Sequence, residues 1–118
     1  KEILPEQTDS IYVRSDRKMI KVRFREIHFI ESIGDYLKIH MHQKTIVTRE
    51  TMTTIEAKLP AKEFMRIHRS YIVAMKAIDS YSNEFVEIDK QQLPLSRGFK
   101  EHVLQKLQGQ TADGWGLS

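Results

Sequence analysis

The segment Tyr36-Leu37-Lys38-Ile39-His40-Met41-His42 alternates without interruption, with Leu37, Ile39 and Met41 on one side and Tyr36, Lys38, His40 and His42 on the other. Successive side chains of a strand point to opposite faces, so this period of two predicts a β-strand with one core face and one wet, potentially cationic face. Short β-rich runs surround it at close spacing. Residues 11–14 and 19–22 flank the turn-prone Ser15-Asp16-Arg17-Lys18 and predict a first hairpin. Residues 27–31 predict the next strand, followed by Ser32-Ile33-Gly34-Asp35 as a turn. After a turn at Gln43-Lys44, the β-branched run 45–49 is expected to pair back on its predecessor.

Further along, residues 51–59 predict a helix with Met52, Ile55 and Leu59 on one face, a capping-box spacing from Thr53 to Glu56, and Pro60 as terminator. In residues 63–73 the alternate positions Met65, Ile67, Tyr71 and Val73 are apolar, but Arg69 interrupts them. A charge in a core-facing row predicts a bend there rather than one straight strand. Segments 77–81, 85–88 and 92–95 follow as strands, with Ser82-Asn83-Glu84 and Asp89-Lys90 as turns and Pro94 confining the last to a sheet edge. Residues 97–107 close as a helix, with Ser96 as N-cap, Phe99, Val103, Leu104 and Leu107 on its apolar side, and Gly109 just beyond its end. The implied class is mainly β, an antiparallel sandwich or barrel-like fold of short strands with two short helices. One ordered domain is expected over residues 10–107. A linker or tail occupies 1–9, and a tail occupies 108–118 with the sole tryptophan, Trp115.

Composition narrows the function classes. No apolar stretch approaches the roughly 20 residues needed to span a bilayer. With no cysteine the chain has no disulfide framework, thiolate nucleophile or cysteine-ligated metal, and with no secretory signal a cytoplasmic setting is expected. The first residue is Lys1 rather than methionine, which suggests a piece of a longer chain with an amino-terminal partner domain. The net charge of +3 says little alone, but residues 10–107 hold 18 Lys and Arg against 12 Asp and Glu, a net +6. The excess belongs to the folded part, where it suits a nucleic acid or an anionic surface, or simply solubilises the domain. A helix-turn-helix trio, zinc-finger spacing, basic zipper and phosphate-binding glycine loop are all missing from the pattern, so loops or strand ends must read any DNA partner.

Three stretches carry a family resemblance. Ile30-Glu31-Ser32-Ile33-Gly34-Asp35-Tyr36-Leu37-Lys38-Ile39, Phe64-Met65-Arg66-Ile67-His68-Arg69-Ser70-Tyr71-Ile72-Val73 and Leu95-Ser96-Arg97-Gly98-Phe99-Lys100 resemble the signature stretches of LytTR DNA-binding domains, in the family's order and spacing. The resemblance covers residues 10–107. It implies an elongated antiparallel multi-sheet β fold with minor helices that inserts loop side chains into successive major grooves of duplex DNA. It also implies an output domain of a bacterial transcription regulator of the two-component kind that reads paired repeats as a homodimer, with a phosphorylated receiver as the amino-terminal partner. By matching motif, the DNA-contacting positions would be Asp35, Tyr36 and Lys38 in the first stretch, His68, Arg69 and Ser70 in the second, and Ser96, Arg97 and Lys100 in the third. Some members carry a histidine at the position of Tyr36.

The chemistry of these residues can also be weighed directly. Arg69 and Arg97 suit guanine, because a guanidinium can donate two hydrogen bonds to O6 and N7, worth about 1 to 3 kcal/mol of discrimination. For Arg69 the competing reading is a surface ion pair. Arg97 opposes the helix dipole at a helix start, which argues against a purely stabilising role, and free amides there, with Ser96 and Lys100, favour a phosphate. His68 suits a structural or phosphate-positioning role better than base readout, and Tyr36 fits a core rim as well as a groove contact. His40 and His42 have metal-compatible spacing without a third ligand, so a solvated face is the better reading and no cofactor or metal is expected. His68, Ser70 and Asp79 could be drawn as a triad, but no nucleophile elbow accompanies Ser70, and an enzyme is not expected. The non-enzymatic alternative is a β-rich protein-interaction module or a single-stranded RNA binder that stacks bases on Tyr12, Tyr36, Tyr71 and Tyr81.

Overall fold

The computed structural model describes the backbone of residues 9–115, with side chains as far as residue 109. The alternating segment forms strand β4 (Tyr36–Met41), with Leu37, Ile39 and Met41 all buried. It pairs on one side with β3 (Ile27–Ile33) and on the other with β5 (Thr45–Thr48). Strands β6 (Phe64–His68) and β7 (Tyr71–Ala74) complete a five-stranded antiparallel sheet in the order β5-β4-β3-β7-β6.

Both faces of this sheet are covered. On one face lie the hairpin β1 (Ser10–Ser15) with β2 (Lys18–Arg23) and the helix α1 (Met52–Lys58); Val13, Val22, Met52 and Ile55 pack there against Ile30, Leu37, Ile39 and Ile72. On the other lie a small sheet of β8 (Ser80–Tyr81), β9 (Phe85–Ile88) and β10 (Gln91–Pro94), and the helix α2 (Arg97–Trp115). Val86, Ile88, Leu93, Val103 and Leu107 meet Phe29, Met65, Ile67 and Val73 in this second core. Burying a branched apolar side chain of this size contributes about 1.5 to 3 kcal/mol, so the two cores fix the layers.

The turns follow the residue chemistry. The β1–β2 and β9–β10 hairpins turn on Asp16-Arg17 and Asp89-Lys90, all four at positive φ between 53° and 68°. Two successive left-handed residues give the turn whose twist matches paired strands, and aspartate tolerates the first of them. Strand β10 lies at a sheet edge, where its Pro94 withdraws no hydrogen bond from a neighbour.

Four expectations are corrected. The interruption at Arg69 is a full reversal rather than a bend: β6 and β7 form a hairpin around Arg69-Ser70, and a bulge between Arg66 and His68 shifts the register. Helix α1 is capped by Thr51, whose Oγ1 accepts from Thr54 N at 3.1 Å, because the carboxylate of Glu56 turns away to Arg66 instead of back to Thr53. Helix α2 runs through Gly109 to Trp115, since a glycine with no positive φ lowers helix stability without ending it. The outer face of β4 is not uniformly wet: His40 is half-buried, stacked on Phe29 with centroids 4.2 Å apart. Residues 1–8 of the expected linker and 116–118 of the expected tail lie outside the described residues.

Candidate nucleic-acid interface

Strand β3 ends where β7 begins, so antiparallel pairing alone sets the turn after β3 beside the turn before β7. The contact is direct: Ser32 N donates to Ser70 O at 2.9 Å. The bulge at Ile67 leaves that residue out of the ladder, and its carbonyl accepts from Ser96 N at 2.9 Å, tying the start of α2 to the end of β6. Three stretches far apart in sequence thus converge on one end of the five-stranded sheet.

In the first stretch the β3–β4 turn is Gly34-Asp35, with Gly34 at φ 56°, a left-handed value that glycine takes without steric cost. Asp35 and Tyr36 are exposed and Lys38 is half-buried, directly opposite Glu31 in register. Arg49, just past β5, covers Tyr36. Its Cζ lies 5.1 Å from the ring centroid, and its Nη2 donates to Tyr36 Oη at 3.4 Å. That hydrogen bond raises the Arg49 pKa, and the charge of Asp35 adds to the effect.

In the second stretch Arg69 is exposed at the hairpin tip, while His68 and Ser70 are half-buried. His68 Nδ1 accepts from Ser70 N at 3.0 Å, and its ring meets Tyr71 edge-on at 5.6 Å. With Nδ1 acting as an acceptor, the neutral ring carries its proton on Nε2, and His68 closes the turn that presents Arg69. The same bond leaves Nδ1 with no proton to give a carboxylate, as a catalytic triad would require; Asp79 Oδ2 instead accepts from Asp89 N at 2.8 Å. Behind the turn, Glu31 links three strands: His40 Nε2 lies 2.9 Å from its Oε1, and Tyr71 Oη donates to its Oε2 at 3.4 Å. Burial first, then the charge and hydrogen bond of Glu31, raise the Tyr71 pKa.

In the third stretch α2 opens at exposed Arg97, with Lys100 one turn on and half-buried. Ser96 holds the expected position before the helix, and its carbonyl accepts from Phe99 N at 3.0 Å. Two arginines at this end escaped the sequence reading. Arg49 was absorbed into a β-branched run, and Arg66 into an alternating strand; a lone cation in a strand carries no signal until its neighbours in space are known. His40 and His42 do not share a site. His42 instead meets His28, with ring centroids 5.8 Å apart. No cluster of three metal-ligating side chains exists among the described residues, and no described helix is long and apolar enough to cross a membrane.

This β-framework brings Lys38 and Arg49, Arg69, and Arg97 with Lys100, from three separate stretches, to one end of the sheet, a basic grouping of the kind that suits a nucleic-acid partner. Residues 17–108 match the LytTr DNA-binding domain, and the chain belongs to that family. That family is one of DNA-binding domains. The chain is 28% identical over 118 residues to the sensory transduction protein LytT of Oceanobacillus iheyensis, covering 92% of this chain and 48% of that protein. It is 29% identical over 72 residues to the transcriptional regulatory protein NatR of Bacillus subtilis, covering 61% of this chain and 31% of that one. The chain thus spans about half, or less, of the curated relatives it matches. Its fold is similar to a solved LytTr DNA-binding domain of a methyl-accepting/DNA response regulator from Bacillus cereus, with TM-score 0.69, 22% identity, and coverage of 86% of this chain and 98% of that one.

Proposed function

We propose that the chain binds duplex DNA sequence-specifically through this end of the five-stranded sheet, as the output domain of a bacterial two-component response regulator acting in the cytoplasm. The observation that carries the reading is the convergence of the three stretches through the Ser32–Ser70 and Ile67–Ser96 backbone bonds. Arg69 and Arg97 are the base readers, each able to fork onto guanine O6 and N7 in a major groove. Asp35 can accept from a cytosine amino group. Lys38, Lys100 and the amides following Ser96 hold phosphates, while Tyr36 under Arg49 packs against the backbone. His68 and Ser70 shape the hairpin tip. Paired operator repeats would seat two copies, each linked to its own receiver domain.

A single-stranded binder would need a row of exposed rings on which successive bases stack. Exposed Tyr12, Tyr36 and Tyr81 sit in three different sheets, which gives no such platform. The test is enrichment of bound sites from random duplex DNA, followed by gel-shift titration of the winning duplex against its separated strands. A consensus with two conserved half-sites and at least tenfold preference for the duplex supports the proposal; preference for single strands overturns it.

A further inference from the structure

Each of the three guanidinium nitrogens of Arg66 is held by a different group. Its Nε donates to His68 O at 3.2 Å, its Nη2 to Arg69 O at 2.7 Å, and its Nη1 to Glu56 Oε1 at 3.1 Å. The ring of Phe99, in the first turn of α2, lies 5.9 Å from its Cζ. The side chain is 19% exposed. One planar fork therefore touches the hairpin tip that carries Arg69, the helix α1, and the helix that begins at Arg97. A lysine could not reach all three of these acceptors at once, because a compact ammonium lacks the planar spread of the guanidinium fork.

We propose that Arg66 is a positioning residue that fixes the geometry of Arg69 relative to Arg97 and so sets the sequence preference without touching DNA. The proposal rests on the reading that Arg69 and Arg97 meet base edges. Two arginines that must enter grooves at a set separation lose discrimination when their mutual orientation is free, because each base contact is then made at the expense of the other. The engagement of all three guanidinium nitrogens of Arg66 by protein acceptors separates it from the phosphate-holding lysines.

The experiment uses the full chain and the duplex it enriches from random DNA, with a scrambled duplex as control. Arg66→Lys is expected to lower the preference for the enriched site about tenfold while leaving affinity for scrambled duplex and the salt slope unchanged. In an Arg69→Ala background the same substitution is expected to cost no more than about twofold, since coupled residues do not act additively. Glu56→Ala, at an exposed site on α1, removes one anchor of the fork and is expected to lower preference two- to threefold; it carries the test if Arg66→Lys does not fold. Unchanged preference in the folded variants overturns the proposal. So does a uniform loss on both duplexes with a shallower salt slope, which would make Arg66 a phosphate contact. An equal loss with and without Arg69 overturns it as well. Failure of the underlying reading looks different: Arg69→Ala alone would then leave base preference intact.

Discussion

The turn between β6 and β7 and the turn between β3 and β4 stand side by side, yet they are held in different ways. Around Arg69-Ser70, His68 Nδ1 accepts the Ser70 N–H, Ser32 N donates to the Ser70 carbonyl, and Arg66 donates to the carbonyls of His68 and Arg69. Around Gly34-Asp35, the strand register and one left-handed glycine do the work, and the Arg49–Tyr36 contact lies on the surface. Ordering a residue costs about 1 to 2 kcal/mol of backbone entropy. In the first turn that cost falls on folding, so under the proposed function Arg69 would meet DNA on a backbone already set. In the second turn, part of it falls on binding. The same sheet end thus holds one stiff and one adaptable turn, which under the proposed function would suit strict readout at one base step and tolerant readout at another.

The comparison can be broken in several ways, the largest first. Ile67→Ala empties a fully buried position beneath the braced turn and is expected to lower stability by about 2 to 5 kcal/mol in urea titration. Ile33→Ala, at an exposed position beside the looser turn, is expected to stay within about 0.5 kcal/mol. Next, Arg69→Ala should lower affinity for an enriched duplex by about 1 to 3 kcal/mol, against less than about 1 for Tyr36→Ala; fluorescence anisotropy decides. Equal losses would remove the distinction between the turns. Gly34→Ala should lower stability by about 1 kcal/mol, a purely conformational cost, because open space surrounds the added methyl and only the positive φ opposes it.

The smallest effect is spectroscopic. Burial and Glu31 raise the Tyr71 pKa above the ordinary 10.0, so its protonated form is favoured by the fold. The stabilisation is complete below pH 10 and is lost as pH rises through the elevated value. Ultraviolet titration should show a late tyrosinate component that Tyr71→Phe abolishes.

Much of this was legible beforehand, and the parts that were not share a cause. Alternation found β4 because Leu37, Ile39 and Met41 each bury against one layer. The turn at Asp89-Lys90 was found because its residue types advertise it. The reversal at Arg69-Ser70 has no glycine, proline or asparagine to mark it; the bonds that close it come from His68 and from Arg66, inside the strand. Glu56 sits at capping-box spacing from Thr53, yet its carboxylate pairs with Arg66, ten residues along the chain. The nine candidate contact residues came from three motifs. Arg49 and Arg66, which brace Tyr36 and Arg69, depend on partners that only the folded sheet supplies.

Both border strands of the five-stranded sheet are met by other parts of the chain. Ser15 Oγ donates to Val47 O on β5 at 2.6 Å, and Ser96 N to Ile67 O on β6. The small sheet has a two-residue border at β8 and a proline at β10, and β2 carries Lys18, Lys21 and Arg23. Unpaired strand borders recruit other chains, and short length, proline and positive charge each discourage that. Copies brought close together are therefore protected from zipping into a continuous sheet. The domain can thus reach a high local concentration without its sheets polymerising.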